Sequence, residues 1–217
     1  MSSQLFIYNE ALLHLGERSL ASLSENREPR RVLDSYWSDV VSYCLAQGLW
    51  RFARRTVQQD ASATVIPAFG FNSAFEYPND WIRTQIISTS PNLDPPLLDY
   101  RDENGFIYGN ATPLYWSYIS ADSQYGMNIG AWPENFVDYV VFRLAARACM
   151  RIANDKDLRK ELVSEENKAR RTTKANDAMN DPPGLAPVPF WARARRGAFG
   201  PGGLWYGSGG SGGTGEN

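Results

Sequence analysis

Residues 132–154 read WPENFVDYVVFRLAARACMRIAN, and the reading of this run decides the fold. Phe136, Val137, Val140, Val141, Leu144, Ala145, Ala148, Cys149 and Ile152 recur at three- and four-residue spacing, which on a helix gathers them on one wide apolar face. Pro133 falls at a first helical position, where a missing N–H costs nothing. A stripe this wide predicts the most buried helix of the chain, and it requires other helices to cover it.

Working outward, two helices are predicted upstream and one downstream. Residues 4–15 carry Leu5, Tyr8, Ala11, Leu12 and Leu15 in a stripe, with Gly16 as a C-terminal stop. After a polar link over 17–28, Pro29 opens a second helix running to about Gln47. Its apolar side is Val32, Leu33, Tyr36, Trp37, Val40 and Cys44, and Gly48 stops it. So modest a link predicts an antiparallel hairpin. Downstream, residues 155–180 predict a solvated helix with a thin stripe of Leu158, Leu162, Ala169 and Met179. Glu165 and Thr172 stand there where apolar residues are expected, and Glu166 and Arg170 are spaced for an i,i+4 ion pair.

The segment between the helices has another character. Pro67, Pro78, Pro91, Pro95, Pro96 and Pro113 forbid a long helix. Strand candidates are Thr56–Val57, Val65–Ile66, Trp81–Thr89, Gly105–Tyr108 and Leu114–Ser120. The expected fold is therefore mainly α with an inserted β region, an α+β architecture. A helical bundle is expected from residues 1–50 and 131–181, a small antiparallel β subdomain from 51–130, and an extended Gly/Pro-rich C-terminal arm from 182–217. That arm holds 11 of the 18 glycines and carries a charge of +2, from Arg193, Arg195 and Arg196 against Glu216. Its composition does not bury enough apolar surface to fold alone. Yet it interleaves Phe190, Trp191, Phe199, Trp205 and Tyr206 with those arginines, residue types enriched at interfaces.

Composition narrows the chemistry. The chain has 217 residues, 22 Lys and Arg against 24 Asp and Glu, and a net charge of −2, which argues against a general nucleic-acid binder. Two cysteines and one histidine are too few for a disulfide framework or a His/Cys zinc site. No apolar run approaches the ~18 residues of a membrane span, and the first residues lack the basic start of a signal peptide. Phosphate-binding, dinucleotide, nucleophile-elbow and zinc-protease motifs are missing. Cys44 and Cys149 read as small hydrophobes on helix faces, and His14 as a helix-end or packing residue. No catalytic group, cofactor or metal is expected. One alternative is a sugar-directed enzyme or carbohydrate-binding virion component, built on Asp94, Asp99, Asp102 and Glu103 beside Tyr100, Tyr108, Tyr115, Trp116 and Tyr118. A solvated turn next to aromatic strand residues is the preferred account of that region.

The run YNEALLHLGERSLASLSENREPRRVLDSYWSDVVSYCLAQGLWRFARRT (8–56) closely resembles the opening of the tail tubular protein A family, the head-to-tail adaptors of short-tailed, podovirus-type phages. AFEYPNDWIRT (74–84), PLLDY (96–100), PLYWSYIS (113–120) and WPENFVDYVVFRLAAR (132–147) extend the likeness in order. It covers about residues 5–152; nothing after Asn154 carries it. The resemblance implies a structural virion protein, not an enzyme, assembled in the host cytoplasm and placed in the phage neck. It implies a homo-oligomeric ring, usually of twelve copies, docked beneath the portal protein. A tail nozzle of the tail tubular protein B type attaches below, with tail fibres or spikes near that junction. Double-stranded DNA passes through the ring without specific binding.

Several residues suit such an assembly. A ring contact is heterologous, so one face meets a different face on the next copy. Arg27, Arg30 and Arg31, with Asp34 and Asp39 nearby, are candidates for that meeting. Phe190, Trp191, Arg193, Arg195, Arg196, Phe199, Trp205 and Tyr206 are candidates for contact with neighbouring subunits or the portal.

Overall fold

The computed structural model of the chain describes residues 3–180, which belong to the first of two units divided after Asn180. Helices α1 (Gln4–His14) and α2 (Glu28–Ala46) precede strands β1 (Arg54–Gln59), β2 (Ser73–Glu76), β3 (Trp81–Ser88), β4 (Arg101–Glu103), β5 (Phe106–Gly109) and β6 (Leu114–Ser120). Helices α3 (Glu134–Ile152) and α4 (Lys156–Met179) follow. The fold is α+β, a set of helices with two small antiparallel sheets between α2 and α3.

Local chemistry sets the helix ends. The Ser3 hydroxyl caps α1 by accepting from the Phe6 amide at 3.2 Å. At its other end Gly16 adopts φ +71°, and the amides of Glu17 and Gly16 donate to the carbonyls of Leu12 and Leu13 at 2.9 and 3.1 Å, a Schellman closure. Asn154, with φ +51°, ends α3. The next residue, Asp155, caps α4 by accepting from the amides of Asp157 and Leu158 at 2.8 and 3.1 Å. So tight a joint folds α3 and α4 into an antiparallel hairpin. Pro133 is the N-cap of α3 rather than its first helical residue. Its ψ of 148° is extended, while its carbonyl already accepts from Phe136 and Val137.

The helical core is built on α3, which buries ten side chains from Phe136 to Cys149. α1 adds Ile7, Tyr8, Ala11 and Leu12, and α2 adds Leu33, Val40, Val41, Cys44 and Leu45. Two tryptophans close the body where the chain leaves for and returns from the strands. The Trp50 indole donates to the Cys44 carbonyl at 3.0 Å and Trp132 to the Gly126 carbonyl at 2.8 Å, and both rings pack on Phe136. Burying an aromatic body with its polar tip satisfied stabilises the junction twice over.

α4 departs from expectation in phase. Its buried residues are Leu162, Glu166 and Thr173, so the polar residues facing inward are Glu166 and Thr173, one position beyond the predicted Glu165 and Thr172. Glu166 pairs with Arg143 of α3 and not with Arg170, which reaches Gln47 and Asn167 instead. A partner on the neighbouring helix outcompetes the weak local pair.

One sheet has strand order β1-β6-β3 and the other β2-β5-β4, all antiparallel. Phe75 and Ile107 from the second sheet meet Ile87, Leu114, Trp116 and Tyr118 from the first in a core of their own. Val65 and Ile66 form no strand. Ile66 lies in the β1–β2 loop and is 82% exposed, because the pair has no alternating apolar neighbours to hold it on a sheet. β2 and β4 were not predicted. β4 and β5 are joined by Asn104-Gly105, with φ +51° and +81°, a pair suited to the two-residue type I′ hairpin turn.

Candidate interaction surfaces

Much of the α1–α2 link is consumed in holding itself together. The Asn9 side chain behaves like a strand partner for Leu20, donating to its carbonyl at 3.2 Å and accepting from its amide at 2.8 Å. Arg27 donates to the carbonyls of Arg18 and Ser19 at 3.1 and 3.3 Å and pairs with Glu17 and Glu25. Arg30 pairs with Asp34, whose other oxygen accepts from the Tyr8 hydroxyl at 2.9 Å. Burial, foremost, pushes the Tyr8 phenol well above its ordinary value.

Two of the three candidate arginines are therefore engaged inside the subunit, and Arg31 alone is exposed. It lines a shallow concavity of about 430 Å³ together with Glu28, Val32, Ser35 and Arg151. Arg151 pairs with Glu28 at 2.7 Å, but both side chains are more than half exposed, so the pair is worth at most about 1 kcal/mol. One turn back on α3, the Arg147 guanidinium lies over Tyr36. Sequence reasoning missed Arg151; only the antiparallel packing of α2 on α3 brings it beside Arg31.

The carboxylate cluster lies on the β region, in the β3–β4 loop and on β4. Asp94, Asp99, Asp102 and Glu103 are all exposed. Their supposed aromatic companions divide. Trp116 and Tyr118 are buried in the sheet core, Tyr108 and Tyr115 are half-buried, and Tyr100 is 40% exposed. An aromatic sugar platform beside the carboxylates is thus not formed by Trp116 and Tyr118. The base of the β3–β4 loop is firmly tied. The Leu97 amide donates to the Ile87 carbonyl at 2.7 Å, and the Ser88 hydroxyl to the Pro95 carbonyl at 2.7 Å. Leu97 packs inward on the sheet core, while Leu98 points away and is 87% exposed.

Asp80, just before β3, joins β1 to the end of β6. It accepts from Arg55 at 2.9 Å, from Tyr118 at 3.0 Å and from Ser120. Burial alone would raise its carboxyl, but those three donors outweigh burial and hold it below the ordinary value. Arg83, on the same sheet, donates to the Ala46 carbonyl at the end of α2.

His14 stands exposed in the last turn of α1, its ring 4.8 Å from Phe142. Cys44 and Cys149 are buried free thiols, both pushed up by burial, Cys44 well above the ordinary value. Among the described residues no group of three or more His, Cys, Asp or Glu side chains is placed to hold a metal, and no helix is long and apolar enough to cross a membrane. Phe190, Trp191, Arg193, Arg195, Arg196, Phe199, Trp205 and Tyr206 lie outside the described residues. Compared with family models and with curated proteins, the chain matches none.

Proposed function

We propose that the protein is a structural component of a phage neck, a ring-forming adaptor that joins the portal to the tail nozzle and prolongs the channel for DNA. The observation that carries this reading is the resemblance of residues 8–56 to the head-to-tail adaptor family. The residues of that block are the ones that build the α1–link–α2 hairpin: Asn9, Leu20, Arg27, Arg30 and Asp34 bond to one another across the link or serve the helices on either side of it. A shared hairpin of this specificity is what related adaptors would retain.

In this reading the copies form a closed homo-oligomer, twelve in the family pattern, with the portal above and the nozzle below. Fibres or spikes attach near the lower junction. DNA passes without being read, and the net acidic chain suits that task because a basic lining would bind phosphates and slow transit. Residues 182–217, rich in glycine, aromatics and arginine, supply contacts with neighbouring subunits or the portal. The test is the mass of the purified protein, alone and mixed with portal rings, by native mass spectrometry or light scattering. Assembly into a ring on the portal supports the reading. A protein that stays monomeric in both conditions refutes it.

A further inference from the structure

The two exposed features described above are complementary, and they lie on different parts of the subunit, one on α2 and α3 and the other on the β3–β4 loop. The Arg31 concavity sits at the N-terminal end of α2, and the β region is fastened at its C-terminal end through Arg83 and Ala46. The 19 residues of α2 separate those ends by about 28 Å at 1.5 Å per residue. At the first end Arg31 and Arg151 line the concavity with a single carboxylate, Glu28, and with Val32 as an apolar lining residue. On the β region, residues 94–103 carry four carboxylates against Arg101, and the most exposed apolar side chain among them is Leu98, adjacent to Asp99.

We infer that Leu98 and Asp99 of one copy dock in the Arg31–Val32–Ser35–Arg151 concavity of the next copy, as the repeating contact of the ring. Leu98 covers Val32, and Asp99 meets the guanidinium groups of Arg31 and Arg151. Charge complementarity selects a second copy as occupant: the strand region 54–120 has four basic and seven acidic residues, opposite in sign to the concavity's rim. The loop is prepared for this task, because its base is tied to β3 by the Leu97 and Ser88 bonds and little ordering remains to be done on binding. Two different patches of one subunit make a heterologous contact, the type that closes rings. The inference rests on the adaptor reading for its ring, and it adds the residues that meet.

The experiment is disulfide trapping in the full chain. Leu98→Cys and Ser35→Cys are both surface substitutions, and the native thiols Cys44 and Cys149 are buried, so the parent chain gives no background. Mild oxidation of a mixture of the two single variants is expected to give one disulfide-linked dimer, and the double variant a ladder of multimers. Leu98→Ala and Arg31→Glu should each weaken association by roughly tenfold or more. The native mass is read on the same samples, alone and on portal rings. A closed ring without a ladder overturns this contact while leaving the adaptor reading standing. Equal dimerisation of Leu98→Cys by itself overturns it too, since tip would then meet tip. A ladder in assemblies that never close supports the contact and overturns the ring. Absence of both ladder and assembly overturns both.

Discussion

Removal of the Glu166 carboxylate tests how α4 is held. α4 is 24 residues long and buries only Leu162, Glu166 and Thr173, so little apolar surface attaches it to α3. The Glu166 side chain is 6% exposed and accepts from Arg143 Nη1 through both oxygens at 3.2 Å. Arg143 also lies 3.9 Å from the centre of the Tyr43 ring. Breaking a buried pair by deleting one partner costs about 3–5 kcal/mol, because the remaining charge stays desolvated. Here Arg143 keeps the Tyr43 face and about a fifth of its exposure, which places Glu166→Ala near the lower limit, about 3 kcal/mol. In a unit of this size that lowers Tm by about 6–12 °C. Replacing both partners with apolar residues, Arg143→Met with Glu166→Leu, is expected to return stability to within about 1 kcal/mol of the parent or above it. Urea denaturation followed by circular dichroism measures all three, and amide exchange along α4 localises the effect. A loss under about 1 kcal/mol for Glu166→Ala, or a double variant as unstable as the single one, would refute the reasoning.

Asp80→Asn is expected to cost about 1–3 kcal/mol at pH 7, by unpairing Arg55 and weakening the Tyr118 and Ser120 bonds. Because the Asp80 carboxyl is held below its ordinary value, its contribution is complete above the unfolded pKa of about 3.9 and disappears as pH falls through the folded value, so the parent should lose stability more steeply than the variant below about pH 4. Urea midpoints at pH 7, 4 and 3 check this. Gly126→Ala is expected to cost about 1–3 kcal/mol or to prevent folding, since its Cβ would lie 2.2 Å from the Ser120 carbonyl oxygen and 2.9 Å from Leu45; an unchanged Tm would contradict it. Deletion of residues 182–217 is expected to leave the body folded but to weaken portal attachment, which circular dichroism and co-sedimentation with portal rings measure. In the proposed ring, the surface lining the channel should be net acidic or neutral, and a mapped lining dominated by Lys and Arg would count against that.

The helices were legible because each signal is local. The α3 stripe, the Gly16 stop and the polar face of α4 all act within one or two turns. α1 shows the margin: Ile7 is buried and Phe6 is 48% exposed, a difference of one position on a helix wheel that only the packing of α3 decides. The phase of α4 is another such case. Whether Glu165 or Glu166 faces inward depends on Arg143, 23 residues away from its partner, and no periodicity within α4 contains that information. β4 is different, because its signal was present: Asn104-Gly105 is a hairpin pair, obscured by three exposed charged strand residues that show no alternation.

The candidate surfaces follow the same division between local and distant causes. Arg27 and Arg30 look alike in the sequence to Arg31, yet their partners, the Arg18 and Ser19 carbonyls and Asp34, are supplied by the link and the next turn of the helix. What distinguishes Arg31 is the absence of such a partner among the described residues together with the arrival of Arg151 from α3, which only the antiparallel packing of α2 on α3 brings there. Leu98 is the converse. Within PLLDY the two leucines are indistinguishable by composition, and the ties from Ile87 to Leu97 and from Ser88 to Pro95 turn one into the sheet core and the other into solvent. An apolar side chain left at 87% exposure, on an anchored base and beside carboxylates, costs the free subunit some solubility. That cost is offset where a complementary surface covers it, so its partner should be sought on the face whose charges and curvature match, and on this chain that face is the concavity beneath Arg31.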